Sequence, residues 1–205
     1  MKKVNYFKKY SVYTLLAATM FFASCDSDDD APEPENEVEV ITDVTLVFTN
    51  IDDTTDVVQA SAQDPDGEGA QELVIADEIT LDTSKTYELT FEIFNNLETP
   101  GEDIGEEIFE EDNEHQLFFS FSDNSFATPI GDGNIDNAAD SLNYSDNDEN
   151  GNPVGLVTSW TTPSTQISGG IFTARLQHQP DLKTATTGAD DGDTDFDLEF
   201  VLNIQ

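Results

Sequence analysis

Residues 195–204 read Asp-Phe-Asp-Leu-Glu-Phe-Val-Leu-Asn-Ile. Phe196, Leu198, Phe200, Leu202 and Ile204 alternate with Asp195, Asp197 and Glu199, so a period of two puts the apolar side chains on one face and the carboxylates on the other. A helix would spread those carboxylates around its circumference. The segment therefore reads as a half-buried strand of an antiparallel sheet. Working back along the chain, the same period recurs in Phe172, Ala174 and Leu176, in Leu156, Thr158 and Trp160, and in Leu117, Phe119 and Phe121. It recurs in Tyr87, Leu89, Phe91 and Ile93, and in Val38, Val40, Val44, Leu46 and Phe48. Val58, Ala60 and Ala62 form a shorter run, closed by the turn residues Asp64-Pro65-Asp66-Gly67. The stretch from Leu73 to Leu81 is apolar but less regular, and the only helical turn is expected between Asp103 and Glu111. About eight short strands with turn-rich connections predict an all-β fold, an antiparallel β-sandwich spanning residues 40–205. The irregular region from Asp123 to Pro153 is longer than ordinary connections and is expected to be functional or ordered by something else.

Composition limits the partners. The chain carries 44 acidic and 7 basic residues, a formal charge of −37. Lys2, Lys3, Lys8 and Lys9 all precede the first acid, Asp26, so only Lys85, Arg175 and Lys183 accompany the acidic body. Nucleic acid is excluded as a partner, because phosphate binding needs a cationic surface. The single cysteine, Cys25, excludes a disulfide framework and a cysteine-based zinc site. Gly-x-Ser-x-Gly, a phosphate loop and His-Glu-x-x-His are all missing from the sequence, so the expectation is a binding protein rather than an enzyme.

The first 24 residues have the layout of an export signal: four lysines, an apolar stretch from Val12 to Phe22, then Ala23 and Ser24 before Cys25. The apolar stretch is about half the roughly 20 residues that a membrane-spanning helix needs. Phe-Ala-Ser-Cys resembles a bacterial lipobox with Phe22 in the usual Leu position, and Ser27-Asp28-Asp29-Asp30 resembles the acidic export signal of Bacteroidota surface lipoproteins. The segments around His115 and His178 are similar to those of flavobacterial lipoproteins of this type. The resemblance implies that Cys25 is lipidated and anchors the mature chain in the lipid bilayer of the outer membrane, facing the cell exterior. Acyl chains anchor by burying methylenes at about 0.8 kcal/mol each, and stable attachment takes more than one chain. Residues 25–39, rich in Asp, Glu and Pro, read as an acidic tether. The segment from Leu81 to Leu89 is similar to the strand-turn-Tyr pattern of immunoglobulin-like sandwiches.

Two constellations point to cations. His115 is in phase with Leu117, and His178 with Leu176, so both imidazoles are expected to lie on the apolar side at strand ends. With Glu114 and Asp181 nearby they form a donor set suited to zinc, copper or iron. The alternative is two unrelated histidines, each satisfied locally. The second constellation, Asp146, Asp148, Asn150 and Asn152 around Gly151, has the alternating oxygens and turn glycine of a calcium loop, without the Glu that closes an EF-hand. Asp132, Asn134 and Asp136 repeat the spacing. Three functions follow as expectations: metal capture, serving an outer-membrane receptor; a calcium-stabilised adhesion or glycan-binding module using Trp160, Tyr144 and Phe118; and a purely structural envelope lipoprotein.

Overall fold

The alternating segments pair into two sheets packed face to face. The computed structural model describes residues 39–205 except 65, 67–71 and 98, so the leader, Cys25, residues 27–30 and all of the tether but Glu39 lie outside the described residues. The elements are β1 (Asp43–Asn50), β2 (Val57–Gln63), β3 (Val74–Ile75), β4 (Ile79–Leu81), β5 (Thr86–Asn95) and β6 (Glu102–Asp103), then α1 (Ile104–Glu110), β7 (His115–Phe121), β8 (Val157–Thr161), β9 (Ile167–His178) and β10 (Asp193–Ile204). The first sheet has the order β3-β2-β1-β5-β6, with β8 also pairing with β5, and the second has the order β4-β10-β9-β7. Every strand pair is antiparallel except β4 with β10. The expected β-sandwich is therefore the observed architecture.

The core lies where the inward positions of the two sheets meet. Leu46, Phe48, Leu89 and Ile93 come from the first sheet, and Phe119, Phe172, Leu176, Phe200 and Leu202 from the second, all of them buried. Trp160 packs edge-on against Phe121 at 5.5 Å and Phe172 at 5.0 Å, the geometry aromatic quadrupoles favour. The irregular stretch after Leu73 divides: β3 pairs with β2 in one sheet and β4 with β10 in the other. Asp77 marks the crossing, its carboxylate accepting the Ser61 hydroxyl at 2.6 Å. A segment that changes sheets shows no single alternation.

The long region between β7 and β8 acts as an edge cover. Its backbone bonds to β7 through Leu117 N to Val154 O, Phe121 N to Asp132 O and Asn134 N to Phe119 O, and to β8 through Ser145 N to Val157 O and Ser159 N to Asn143 O. It therefore closes two strand edges that would otherwise offer free donors and acceptors. Gly133 makes this approach feasible: its φ is +107°, and a Cβ there would collide with the Phe119 carbonyl. The Tyr144 hydroxyl completes the cover, donating to the Leu117 carbonyl at 2.7 Å and accepting from Asn134 Nδ2 at 2.9 Å. Tyr144→Phe leaves both groups without a partner, so the expected loss of stability in urea denaturation is about 1–3 kcal/mol.

Candidate metal centre

His115 opens β7 and His178 closes β9, and the strand register sets them directly opposite each other. Both are buried, at 0% and 2% exposure, with the rings stacked 4.3 Å apart and tilted by only 5°. The third member comes from β10. Its register with β9 slips between Thr194 and Phe196, leaving Asp195 as an extra residue, and its side chain is fully buried. A bulge of this kind re-aims a side chain that strict alternation would send to solvent.

The protonation pattern follows from the partners. His115 Nδ1 lies 3.3 Å from the Glu111 carbonyl, which can only accept, so Nδ1 carries the proton and Nε2 keeps its lone pair. That Nε2 faces Asp195 Oδ2 at 3.9 Å, one acceptor against another. His178 Nε2 lies 3.7 Å from Glu114 Oε2. Both Nε2 atoms and both Asp195 oxygens are buried without a hydrogen-bond partner. Each such atom costs about 1–3 kcal/mol, so four in one place require an explanation. Burial, then the neighbouring His178 and the Lys183 ammonium, hold His115 down to about 4, against the opposing pull of the Glu111 carbonyl. Burial pushes Asp195 up to about 7, and the carboxylates of Glu39 and Asp193 add to it, against the opposing pull of the Glu39 N–H.

No family model, curated protein or solved structure matches this chain. The chemistry must therefore be read from the donor set itself. Glu111, His115 and His178 each place a ligand atom within 4.8 Å of the other two. Two ligands held about 2.0–2.1 Å from one ion stand at most about 4.2 Å apart, so the 3.9 Å and 3.7 Å separations fit an intervening ion and are too long for hydrogen bonds. The exposed Glu111 leaves the site an opening to solvent.

Of the residues expected from sequence, His115, His178 and Glu114 come together. Asp181 does not: it is exposed, in a left-handed turn with φ 57°, and is not grouped with the histidines. Glu111 takes the place expected for it, and Asp195 faces His115. Spacing cannot single out Glu111 among the carboxylates before His115, and alternation assigns Asp195 to solvent; only the pairing of β9 with β10 reveals the bulge.

The two calcium candidates differ in how their carboxylates are used. Asp148 accepts from Asn150 N at 2.9 Å, Asn152 N at 2.8 Å and Asn152 Nδ2 at 3.0 Å, and Asp146 accepts from Gly155 N and Val157 N. The carboxylates of Asp146 and Asp148 are thus turned to the loop's own N–H groups. The cation beside them is Lys183, whose Nζ lies 3.4 Å from Asp148 Oδ2, with both side chains fully buried. Lys183 also donates to the carbonyls of Asp112 and His115, so the loop's charge fixes the backbone that carries His115. In the second set Asn134 is spent on Phe119 N and Tyr144, whereas Asp132 and Asp136 do come together, with Asp140, in an exposed group whose oxygens all lie within 4.8 Å of one another. The glycan platform fails on burial, because Trp160 and Phe118 are enclosed and the Tyr144 hydroxyl is bonded internally.

Proposed function

We propose that this protein captures a transition metal ion, zinc, copper or iron, between His115, His178, Glu111 and Asp195, with Glu114 beside them. The observation that carries this reading is the lone pair of His115 Nε2 facing a buried carboxylate oxygen at 3.9 Å, with neither atom bonded to anything else. Two acceptors in that relation need a proton or a cation between them. Imidazole and carboxylate together suit these borderline ions, and the Nδ1–H bond to a carbonyl is the outer contact that usually orients a ligating histidine. The lipobox-like Phe-Ala-Ser-Cys and the acidic run after it support a setting at the outer membrane, anchored through Cys25 and facing outward, where such a module could hand metal to a membrane receptor. Nothing in the site calls for bond-making chemistry, so the reading is a binding protein.

Elemental analysis of the mature lipoprotein, purified without chelator, is the direct test. One equivalent of zinc, copper or iron is expected, with a melting temperature that falls when the ion is removed. A metal-free protein whose melting is indifferent to added Zn²⁺ overturns the proposal. The anchor is checked separately by palmitate-analogue labelling, which Cys25→Ala should abolish.

A further inference from the structure

Asp195 reaches the histidine pair because β10 carries one extra residue, and the fold holds that residue from outside. Thr194 pairs with Gln177 and Phe196 with Leu176, so Asp195 has no partner on β9. Along β9 the side chains alternate: Leu176 and His178 face inward, while Arg175, Gln177 and the following Gln179 face the other way. All three outward side chains grip the chain on its way into β10. Gln177 Nε2 donates to the Thr194 hydroxyl at 2.8 Å and to the Ala189 carbonyl. Gln179 Nε2 donates to the carbonyls of Gly188 and Asp191 at 2.8 Å and 2.9 Å. Beyond the bulge, Arg175 holds the Asp197 carboxylate through Nη2 at 2.6 Å and Nε at 3.0 Å. Asp195 is thus bracketed, with Gln177 on the residue before it and Arg175 on the second residue after.

Gln177 is the member that packing alone does not explain. It is 2% exposed, and its Oε1 is buried without a hydrogen-bond partner. The amide cannot turn over to relieve this, because the Ala189 carbonyl only accepts and requires Nε2 to face it. An apolar side chain of the same length would remove the orphaned oxygen, and would also release Thr194. We infer that Gln177 is a positioning residue of the metal centre: its amide pins the β10 bulge and so keeps the Asp195 carboxylate opposite His115 Nε2. The inference rests on the metal site proposed above and names what holds one of its ligands. Gln177 faces away from that site and acts through Thr194. Without this grip the slip can move along the strand, and alternation then returns Asp195 to solvent.

The test is a double-mutant cycle, read by calorimetric Zn²⁺ titration of wild type, Gln177→Met, Asp195→Asn and the double variant. Gln177→Met is expected to weaken Zn²⁺ binding about tenfold, the lower end of the roughly 10–100-fold that loss of an outer contact costs. Where Asp195 is already Asn, the same change is expected to cost less than about twofold, since a positioning effect has nothing left to position. A side chain that only supports the fold would cost the same in both backgrounds. Thr194→Val, at an exposed position, removes the hydroxyl alone and should give a smaller loss with the same dependence on Asp195, which decides the matter if Gln177→Met fails to fold. Equal losses in the two backgrounds, or none in either, overturn the inference and leave the histidine site standing. Amide hydrogen exchange in chelator gives a readout free of metal: in Gln177→Met, exchange at Asp195 and Phe196 should quicken about tenfold or more while β1 and β5 keep their rates. Unchanged exchange there overturns the pinning of the bulge. A wild type that binds no Zn²⁺ overturns the metal site, and quickened exchange would then uphold the pinning without it.

Discussion

His115→Leu/His178→Leu is expected to lower Zn²⁺ affinity more than the roughly 10–100-fold that loss of an outer-shell contact costs. In chelator the same variant is expected to be more stable than wild type. Leucine fills a comparable volume and removes two buried nitrogens that have no partner, and replacing unsatisfied polar atoms by apolar ones is commonly neutral or stabilising. The two signs together discriminate. Histidines kept only for packing would show no zinc affinity to lose, and their stacked pair, 4.3 Å between centroids, would be missed on removal. Calorimetric titration with Zn²⁺ and urea denaturation in chelator give both readouts. A stable variant that still binds Zn²⁺ at wild-type affinity would remove the site from these residues.

Asp195→Asn is expected to stabilise the metal-free protein at pH 8 by about 2–4 kcal/mol. Asp195 titrates near 7 in the folded chain against an ordinary 3.8, and each unit is worth about 1.4 kcal/mol, so about 4 kcal/mol is the ceiling. The unbonded Asn amide takes back part of it. The sign follows from proton linkage: the folded state holds this proton more tightly, so wild-type stability falls as pH rises from 3.8 toward 7. His115 works the other way. Its folded value of about 4 lies below 6.5, so its contribution is present above pH 6.5 and is lost as pH falls toward 4. In wild type these two slopes oppose each other between about pH 4 and 6.5; in Asp195→Asn the carboxylate's slope is gone and the histidine's stays. The variant's advantage should therefore shrink on acidification, measured by urea denaturation from pH 8 to pH 4.5 in chelator. An advantage independent of pH would contradict the assignment. The same substitution should weaken Zn²⁺ binding, which explains a carboxylate retained at a cost to stability.

Lys183 shows how the rest of the molecule serves this site. Its ammonium holds the His115 carbonyl at 2.8 Å while pairing with Asp148 in the loop that covers the β7 edge. The cover, the β9–β10 connection and the first residue of β7 are thus joined at one point. Read as sequence, the loop resembles a place for calcium, because donors and acceptors look alike as letters; in the fold, the asparagines give their N–H groups to Asp148 and a lysine supplies the positive charge.

The chain alone determined the layers, the inward faces and the phase of both histidines with the core, because alternation is local: each side chain's face follows from its neighbours two positions away. Through its charge it also set the expectation of no nucleic-acid partner. Tertiary structure decided that His115 meets His178, that a register slip turns Asp195 inward, that Glu111 rather than Asp181 completes the set, and that Trp160 lies in the core. Each of these depends on which strands pair and in what register, a contact between residues about 60 or more positions apart for the histidines, and no local period carries that information.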